Sequence, residues 1–438
     1  MTRTRRVVVI VSTGLCALLV LVAGGFVGLG WWISDSVTKP DHQHYTNPEH
    51  SDVVLRVERA GSETNVVIGD PDAHARRPGT YRMVWDGVEA VVGDVIAASP
   101  DSVARPILRG AVPSAGTTVA VTDVMISDPK SSLGLDYDEV SVPTELGPAP
   151  AWYVPASGPA GSTWVIAVHG QNGRRNAMLA IPAFHRLGLP VLAITYRNDE
   201  GAPGAPDGLI HYGESEYRDV ESAVRYAQGM GATRVVLYGS SMGGQIVGQF
   251  LVRSSLATAV SAVLLDSPLV SMPTVAAFSG RQNGAPGLAI RLTSDIIYWR
   301  TGVDMDQLDL IAHPPAVKPP TLLIGGSADS QAPVQMERDF AAAAPGMGWT
   351  VEYQEFPGAE HVESWNSDPT RYENGLPTSS LVRYRPPDSE SGKRAHNRTY
   401  AATSRICIPE LRRQPPSTRI DIDRTSRSRL HRRGSMGR

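Results

Sequence analysis

Leu237-Tyr238-Gly239-Ser240-Ser241-Met242-Gly243-Gly244 is the stretch on which the fold prediction rests. It has the form G-x-S-x-G, with Ser241 at its centre. An apolar run from Arg234 to Tyr238 precedes it, and a helix-compatible run from Gln245 to Arg253 follows it. A serine held at a sharp strand-to-helix turn needs glycine on both sides, because a Cβ would clash there. The pattern therefore predicts a nucleophile elbow at Ser241.

Apolar segments of strand length alternate with helical segments around this turn. The predicted parallel strands are Trp164 to Val168, Val191 to Ile194, Val260 to Leu265, Thr321 to Ile324 and Thr350 to Phe356. This alternation predicts an α/β domain over residues 137–373, with a mostly parallel sheet and helices on both faces. An antiparallel pair (139–142 and 151–154) precedes the parallel strands. Residues of about 270–319 form an insertion placed to act as a lid.

A serine nucleophile needs a base, and in such a sheet the chain order is Ser, then Asp or Glu, then His. Four histidines follow Ser241, at positions 313, 361, 396 and 431. His313 precedes the candidate acid, and the last two lie in a basic tail. His361 directly follows the last predicted strand, so it is predicted to be the general base.

The candidate acids are Asp329 and Asp266, each at the end of a predicted strand. Asp329 follows the penultimate strand, which is the usual place of the acid, and it is preferred. Asp266 is the alternative acid, with a cap at the start of the lid as its other role.

Two backbone N–H groups are expected to bind the oxyanion of the tetrahedral intermediate. Met242 follows the nucleophile and supplies one. Gln171 supplies the other, in the His169-Gly170-Gln171-Asn172-Gly173 loop after the first parallel strand. His169 precedes the nucleophile in the chain and is expected to be structural.

The N-terminal third is predicted to hold no catalytic chemistry. Residues 1–35 combine three arginines with an uncharged run from Val7 to Ile33 and the pair Trp31-Trp32. Such a run is long enough to span a bilayer, and positive residues before it place the N-terminus in the cytoplasm. We therefore expect a single-pass anchor in the cell membrane with the catalytic domain outside; a signal peptide cleaved near Ala23 is the alternative. A linker (36–47) and a β-rich domain (48–130) are expected to follow.

The C-terminal segment differs from the rest in composition. Residues 375–438 hold 15 Lys and Arg against 5 Asp and Glu, whereas the rest of the chain holds 26 against 39. A closing helix is expected to start at Trp365 and to lose its pattern at Asn374. The basic segment is expected to be disordered, either as a native tail or as the product of a frameshift.

Composition also excludes several classes of function. An acidic body disfavours binding to nucleic acid. The two cysteines, Cys16 and Cys407, lie in an apolar run and in the tail, so neither a disulfide nor a thiolate metal site is expected. No cofactor or metal is predicted.

The combined motifs resemble those of the α/β-hydrolase superfamily over about residues 137–373. The carrying motifs are His169-Gly170-x-x-Gly173, Tyr196-Arg197-Asn198-Asp199, Gly239 to Gly243, Asp329 in its loop, and Gly358-x-x-His361. The resemblance is to bacterial membrane-anchored or secreted serine hydrolases, in the serine-aminopeptidase-like and dipeptidyl-peptidase-like group. It implies a cofactor-independent hydrolase acting on a small acyl ester or a peptide-like substrate. Ester cleavage is the first expectation; a peptidase or amidase, and a catalytically impaired surface protein, are the alternatives.

Overall fold

The first element of the fold is one long helix, α1 (Arg3–Thr38). The structure is a computed structural model, and it describes residues 3–41, 51–122, 128–158, 161–173, 175 and 179–378. All of these residues belong to one compact unit. The last two turns of α1 pack on the rest of the protein, and the side chains of Ser34 and Thr38 are fully buried. The linker expected at 36–47 therefore starts inside a helix, and residues 42–50 lie outside the described ranges.

A membrane-spanning anchor is not supported. Across the described residues, no helix combines the length and the apolar character that a bilayer crossing requires. The C-terminal part of the expected span packs on other residues of the protein. Trp31 lies 5.7 Å from Trp299 between ring centroids and 4.6 Å below the guanidinium of Arg300.

Seven strands and one short helix follow: β1 (Asp52–Ala60), β2 (Glu63–Gly69), α2 (Ala73–Arg76), β3 (Tyr81–Trp85), β4 (Val88–Val92), β5 (Ala97–Ser99), β6 (Ser102–Gly110) and β7 (Thr118–Thr122). All of their pairings are antiparallel. Strand β2 pairs with both β1 and β6, so six strands close into a barrel and β5 adds to β6. Alternating side chains such as Val66 and Ile68 of β2 fill its interior.

The remaining elements form an α/β layer structure: α3 (Pro129–Leu133), β8 (Asp138–Thr144), β9 (Gly147–Val154), β10 (Thr163–Val168), α4 (Ile181–Arg186), β11 (Val191–Ile194), α5 (Tyr217–Gly229), β12 (Arg234–Ser240), α6 (Met242–Arg253), β13 (Val260–Asp266), α7 (Met272–Gln282), α8 (Gly287–Thr301), β14 (Thr321–Gly326), α9 (Val334–Ala343), β15 (Val351–Phe356), α10 (Ser364–Ser367) and α11 (Pro369–Thr378). The sheet order is β15-β14-β13-β12-β10-β11-β9-β8.

Strands β10 to β15 are parallel, and β8 and β9 are antiparallel. Neighbouring residues of one strand enter different cores: Ile166 and Val168 belong to one cluster, Val165 and Ala167 to the other. A sheet buried on both faces explains why its strands are continuous apolar runs. The predicted α/β fold is confirmed.

The expected end of the closing helix is wrong. Helix α11 continues past Asn374 to Thr378, and Leu376 is 1% exposed in the same core as Tyr372. Burial of two side chains one turn apart stabilises the helix where its intrinsic pattern is weak. The disorder expected over residues 375–438 is therefore wrong for residues 375–378, which belong to α11. Residues 379–438, which the frameshift hypothesis also concerns, lie outside the described ranges.

Candidate active site

Ser241 occupies the tight turn between β12 and α6. Its backbone has φ +52° and ψ −123°, a conformation that costs energy for a residue with a Cβ. A Cβ on Gly239 would lie 2.6 Å from the Gly243 carbonyl oxygen, and one on Gly243 would lie 2.2 Å from that of Val168. The glycines of the motif are therefore required by close backbone approach, as the elbow predicts.

The other two predicted side chains converge on this serine. His361 Nε2 lies 2.8 Å from Ser241 Oγ, and His361 Nδ1 lies 2.7 Å from Asp329 Oδ2. The second oxygen of Asp329 accepts the N–H groups of Gln331 and Ala332. With the carboxylate on Nδ1, the proton of a neutral His361 sits there, and Nε2 is left to accept the serine proton.

The segment around His361 is held in a strained conformation. Val362 has φ +61°, which a β-branched residue rarely adopts. Its N–H donates to Ser267 Oγ at 3.1 Å. The Glu360 carboxylate accepts from the N–H and hydroxyl of Ser330 and from the His361 N–H. Sequence reasoning missed Ser267 and Glu360. Their only sequence signal is that they lie next to Asp266 and His361, and a polar residue next to a candidate site residue is too common to identify a role.

Asp266, the alternative acid, does not hydrogen-bond to His361. Its Oδ2 accepts from Tyr372 Oη at 2.7 Å and from Tyr238 Oη at 3.3 Å. Burial raises the pKa of Asp266 to about 6. The Asp266 side chain does not cap the start of the lid either, because it faces these tyrosines. The Asp266 backbone carbonyl accepts the Ser241 N–H at 2.9 Å.

The predicted oxyanion donors border the nucleophile. Met242 is the first residue of α6, where free N–H groups and the helix dipole favour negative charge. The loop that carries Gln171 packs on the serine, since a Cβ on Gly170 would lie 2.9 Å from Ser241 Cβ.

The end of α1 reaches this same loop. The Val37 carbonyl accepts from Gln171 Nε2 at 3.0 Å and from Tyr212 Oη at 2.5 Å. The Asp41 N–H donates to Asn172 Oδ1 at 2.9 Å. Residues of α1 and its continuation therefore help to fix the loop that is expected to bind the oxyanion.

His169 is fully buried and lies beside this loop. Its Nε2 contacts Asp199 Oδ2 at 2.8 Å, its Nδ1 contacts the Gly170 carbonyl at 2.8 Å, and its ring stacks on Tyr196. These contacts tie the loop to the end of β11, which agrees with the structural role expected for it.

The inserted residues form helices α7 and α8 with a groove of about 650 Å³ between them. Tyr298 lines this groove and is 58% exposed, whereas Trp299 is 73% exposed and contacts α1. Ile296 lies against Gly30 of α1. Gln282 at the end of α7 donates to the carbonyl of Ser330, the residue after the candidate acid Asp329.

Among the residues for which the structure gives positions, no group of three or more His, Cys, Asp and Glu is arranged to hold a metal ion. The side chains that meet at Ser241 thus have the arrangement that a nucleophile, a base and an orienting carboxylate would need, on a parallel sheet covered on both faces. The sequence profile of the prolyl oligopeptidase family matches residues 206–375, which contain all three. This match and the fold support an α/β-hydrolase-superfamily, serine-hydrolase-like protein.

This chain is also similar to other known sequences. A profile described as a domain of unknown function (DUF8805) matches residues 53–122, the barrel. The uncharacterized protein Rv2307c of Mycobacterium tuberculosis strain H37Rv is 29% identical over 218 residues, which cover 48% of this chain and 66% of that protein. The match thus spans just under two thirds of that relative's length.

Solved structures of similar architecture include two hydrolases. The Pyrococcus furiosus esterase Pf2001 has a TM-score of 0.45 at 20% identity, covering 57% of this chain and 91% of that one. XC6422 from Xanthomonas campestris, described as a serine hydrolase without a lid, has a TM-score of 0.40 at 15% identity, covering 57% and 94%.

Proposed function

We propose that this protein is a serine hydrolase that cleaves carboxylic esters. The observation that carries the proposal is the position of His361, with Nε2 at 2.8 Å from Ser241 Oγ and Nδ1 at 2.7 Å from Asp329. This is the arrangement that general-base activation of a serine requires.

In the proposed reaction, Ser241 Oγ attacks the acyl carbonyl while His361 takes its proton. Asp329 orients the imidazole and stabilises its charged form. The N–H groups of Gln171 and Met242 bind the negative oxygen of the tetrahedral intermediate. His361 then protonates the leaving alcohol, and a water molecule activated by the same histidine releases the acid from Ser241.

The carboxylates near the site favour esters over substrates with a free amino terminus. An aminopeptidase needs a carboxylate available to bind the ammonium group of its substrate. Glu360 is engaged by Ser330 and His361, and Asp199 is engaged by His169. Glu363 is 3% exposed and engaged by Tyr81.

A peptidase or amidase is the second candidate, because the matching family profile is that of prolyl oligopeptidases. A catalytically impaired surface protein is the remaining alternative. A fluorophosphonate probe separates enzyme from non-enzyme: we expect labelling of the wild type and none of Ser241→Ala. A folded wild type that takes no label would refute the hydrolase proposal.

Substrate class is tested next with p-nitrophenyl esters of increasing acyl length and with aminoacyl-p-nitroanilides. We expect kcat/KM for the best ester to exceed that for the best anilide by at least about a hundredfold (near 3 kcal/mol in activation free energy). The reverse order would establish the peptidase candidate.

We also propose that α1 attaches the chain to the cell membrane, with the catalytic domain outside the cytoplasm. The support is the arginine-rich start of the chain and a series of apolar side chains of α1 that are exposed: Val20, Leu21, Phe26, Val27 and Leu29. We expect alkaline carbonate to leave the full chain on membranes and to release a variant without residues 1–29. Release of the full chain refutes attachment, and a mature N-terminus after Ala23 identifies a cleaved signal peptide instead.

A further inference from the structure

The barrel touches the catalytic domain at the segment that follows the catalytic histidine. Glu363 lies two residues after His361, and its side chain is 4% exposed. Tyr81 Oη donates to Glu363 Oε2 at 2.9 Å, and Arg77 Nη1 forms an ion pair with Oε1. Arg77 also lies 3.9 Å from Glu360. One carboxylate beside the catalytic base is therefore bound by Arg77 and Tyr81 of the barrel, and His74 Nε2 of the barrel also lies 3.6 Å from its Oε1.

A backbone contact lies next to this ion pair. The Thr80 N–H donates to the Asn366 carbonyl at 2.8 Å, and Asn366 Nδ2 donates back to the Thr80 carbonyl at 2.8 Å. Gly79 has φ +113°, and a Cβ there would lie 2.2 Å from the Asn366 carbonyl oxygen. The backbones at Gly79 and Asn366 lie so close together that only a residue without a Cβ fits at position 79.

A fully buried arginine shapes the barrel loop that makes these contacts. The Arg105 guanidinium donates to the backbone carbonyls of Ala75, Arg77, Gly79 and Gly93. It lies 5.1 Å from the centre of the Tyr81 ring. Burial lowers the pKa of Arg105 to about 10, so it remains a cation at neutral pH. A planar donor with five N–H groups can hold several carbonyls in one fixed arrangement.

The catalytic segment needs such support from outside. Val362 is strained, and strained residues persist where their surroundings fix them. Ser267 and Ser330 hold one side of the segment. The barrel holds the other side through Glu363 and Asn366.

We propose that the barrel of residues 52–122 is a positioning device for the catalytic histidine. Arg77, Tyr81 and Arg105 are positioning residues that act on His361 through Glu363. The proposal rests on the hydrolase function proposed above and gives the barrel, which matches a domain of unknown function, its part in that function.

The chain offers a matched pair of variants for the test. Arg77 and Arg82 are both barrel arginines paired with a glutamate, and their side chains are 27% and 20% exposed. The partner of Arg77 is Glu363, whereas the partner of Arg82 is Glu89 within the barrel. Full-length Arg77→Gln, Tyr81→Phe and the control Arg82→Gln are compared, with kcat and KM on a p-nitrophenyl ester expressed per active site titrated.

We expect Arg77→Gln and Tyr81→Phe each to lower kcat by about tenfold or more with KM within about twofold, because a misplaced base costs rate and not binding. Arg82→Gln keeps the wild-type values. Combining Tyr81→Phe with Glu363→Gln should cost less than the product of the single effects, because the two groups act as a unit.

Equal kcat per active site in Arg77→Gln, Tyr81→Phe and Arg82→Gln overturns the proposal, and so does a loss that is entirely in KM. In either case the wild type still reacts with the fluorophosphonate, so the hydrolase proposal stands. Absence of labelling in the wild type is the separate result that removes both.

Discussion

Asp266→Asn tests whether a buried carboxylate behind the nucleophile destabilises the folded protein at neutral pH. The side chain is 1% exposed, and burial raises its pKa to about 6. Because the folded-state pKa is raised, folding favours the protonated carboxyl. Stability from this group is therefore greatest below pH 4 and is lost as the pH rises from about 4 to about 6.

The size of the effect follows from the two pKa values. With an unfolded pKa near 3.9, this group lowers the free energy of unfolding, relative to its value at low pH, by about 1.5 kcal/mol at pH 5 and by about 3 kcal/mol at pH 7. Asparagine removes this pH dependence. Among the residues that the structure describes, Asp266 Oδ1 has no hydrogen-bond partner. An amide group buried at that position is also left unsatisfied, which adds a constant cost of about 1–3 kcal/mol. The constant part does not alter the dependence on pH.

The measurement is urea unfolding of wild type and variant at pH 5 and pH 7. We expect the stability of Asp266→Asn relative to wild type to improve by roughly 1–1.5 kcal/mol between these two pH values. Asp295→Asn, which changes an exposed carboxylate of α8, is the control and should show no such change. Parallel stability curves for wild type and Asp266→Asn would show that the carboxylate is not held at a cost and would refute the reasoning.

Three further outcomes are expected. Asp329→Asn should lower kcat about 10⁴-fold, because the imidazole loses the partner that fixes its tautomer, while Asp266→Asn stays within about tenfold; the opposite ranking in ester assays would make Asp266 the acid. Gln171→Leu keeps the backbone N–H but loses the bond to the Val37 carbonyl, so kcat should fall about ten- to a hundredfold with little change in KM; an unchanged kcat would show that α1 does not support the loop. Leu376→Ala should cost about 2–5 kcal/mol in unfolding free energy, and a cost below about 0.5 kcal/mol would mean that this turn of α11 is not part of the core.

The active-site elements were predictable because each has a local signature. The turn at Ser241 needs glycines, and strands buried on both faces are continuous apolar runs. Chain order and strand position then selected His361 from four histidines, and the position after the penultimate strand selected Asp329 from two acids. These arguments use residues that are close in sequence to a strand end, where parallel sheets collect functional side chains.

The parts that sequence reasoning missed depend on contacts between distant segments. Within the predicted β-rich domain (48–130), strand β6 lacks a clear sequence signature, because Arg105 and Pro106 interrupt its apolar alternation. Arg105 is buried there and donates to backbone carbonyls from elsewhere in the barrel. Helix α1 was expected to be a membrane anchor separate from the catalytic domain, yet its last turns contact Trp299 and the loop that carries Gln171. Helix α11 was expected to end at Asn374, yet it continues to Thr378 and the side chain of Leu376 is buried in the core.

The contact between Arg105 and its four carbonyls has a consequence for the order of events on the ribosome. All four acceptors lie within the barrel, so the loop that carries Arg77 and Tyr81 can form without the catalytic domain. About 240 residues separate the end of the barrel from Glu363, which takes roughly 12–50 s to synthesise at 5–20 residues per second. The barrel can therefore be complete before the histidine segment leaves the ribosome, and that last segment then folds against a surface already in place.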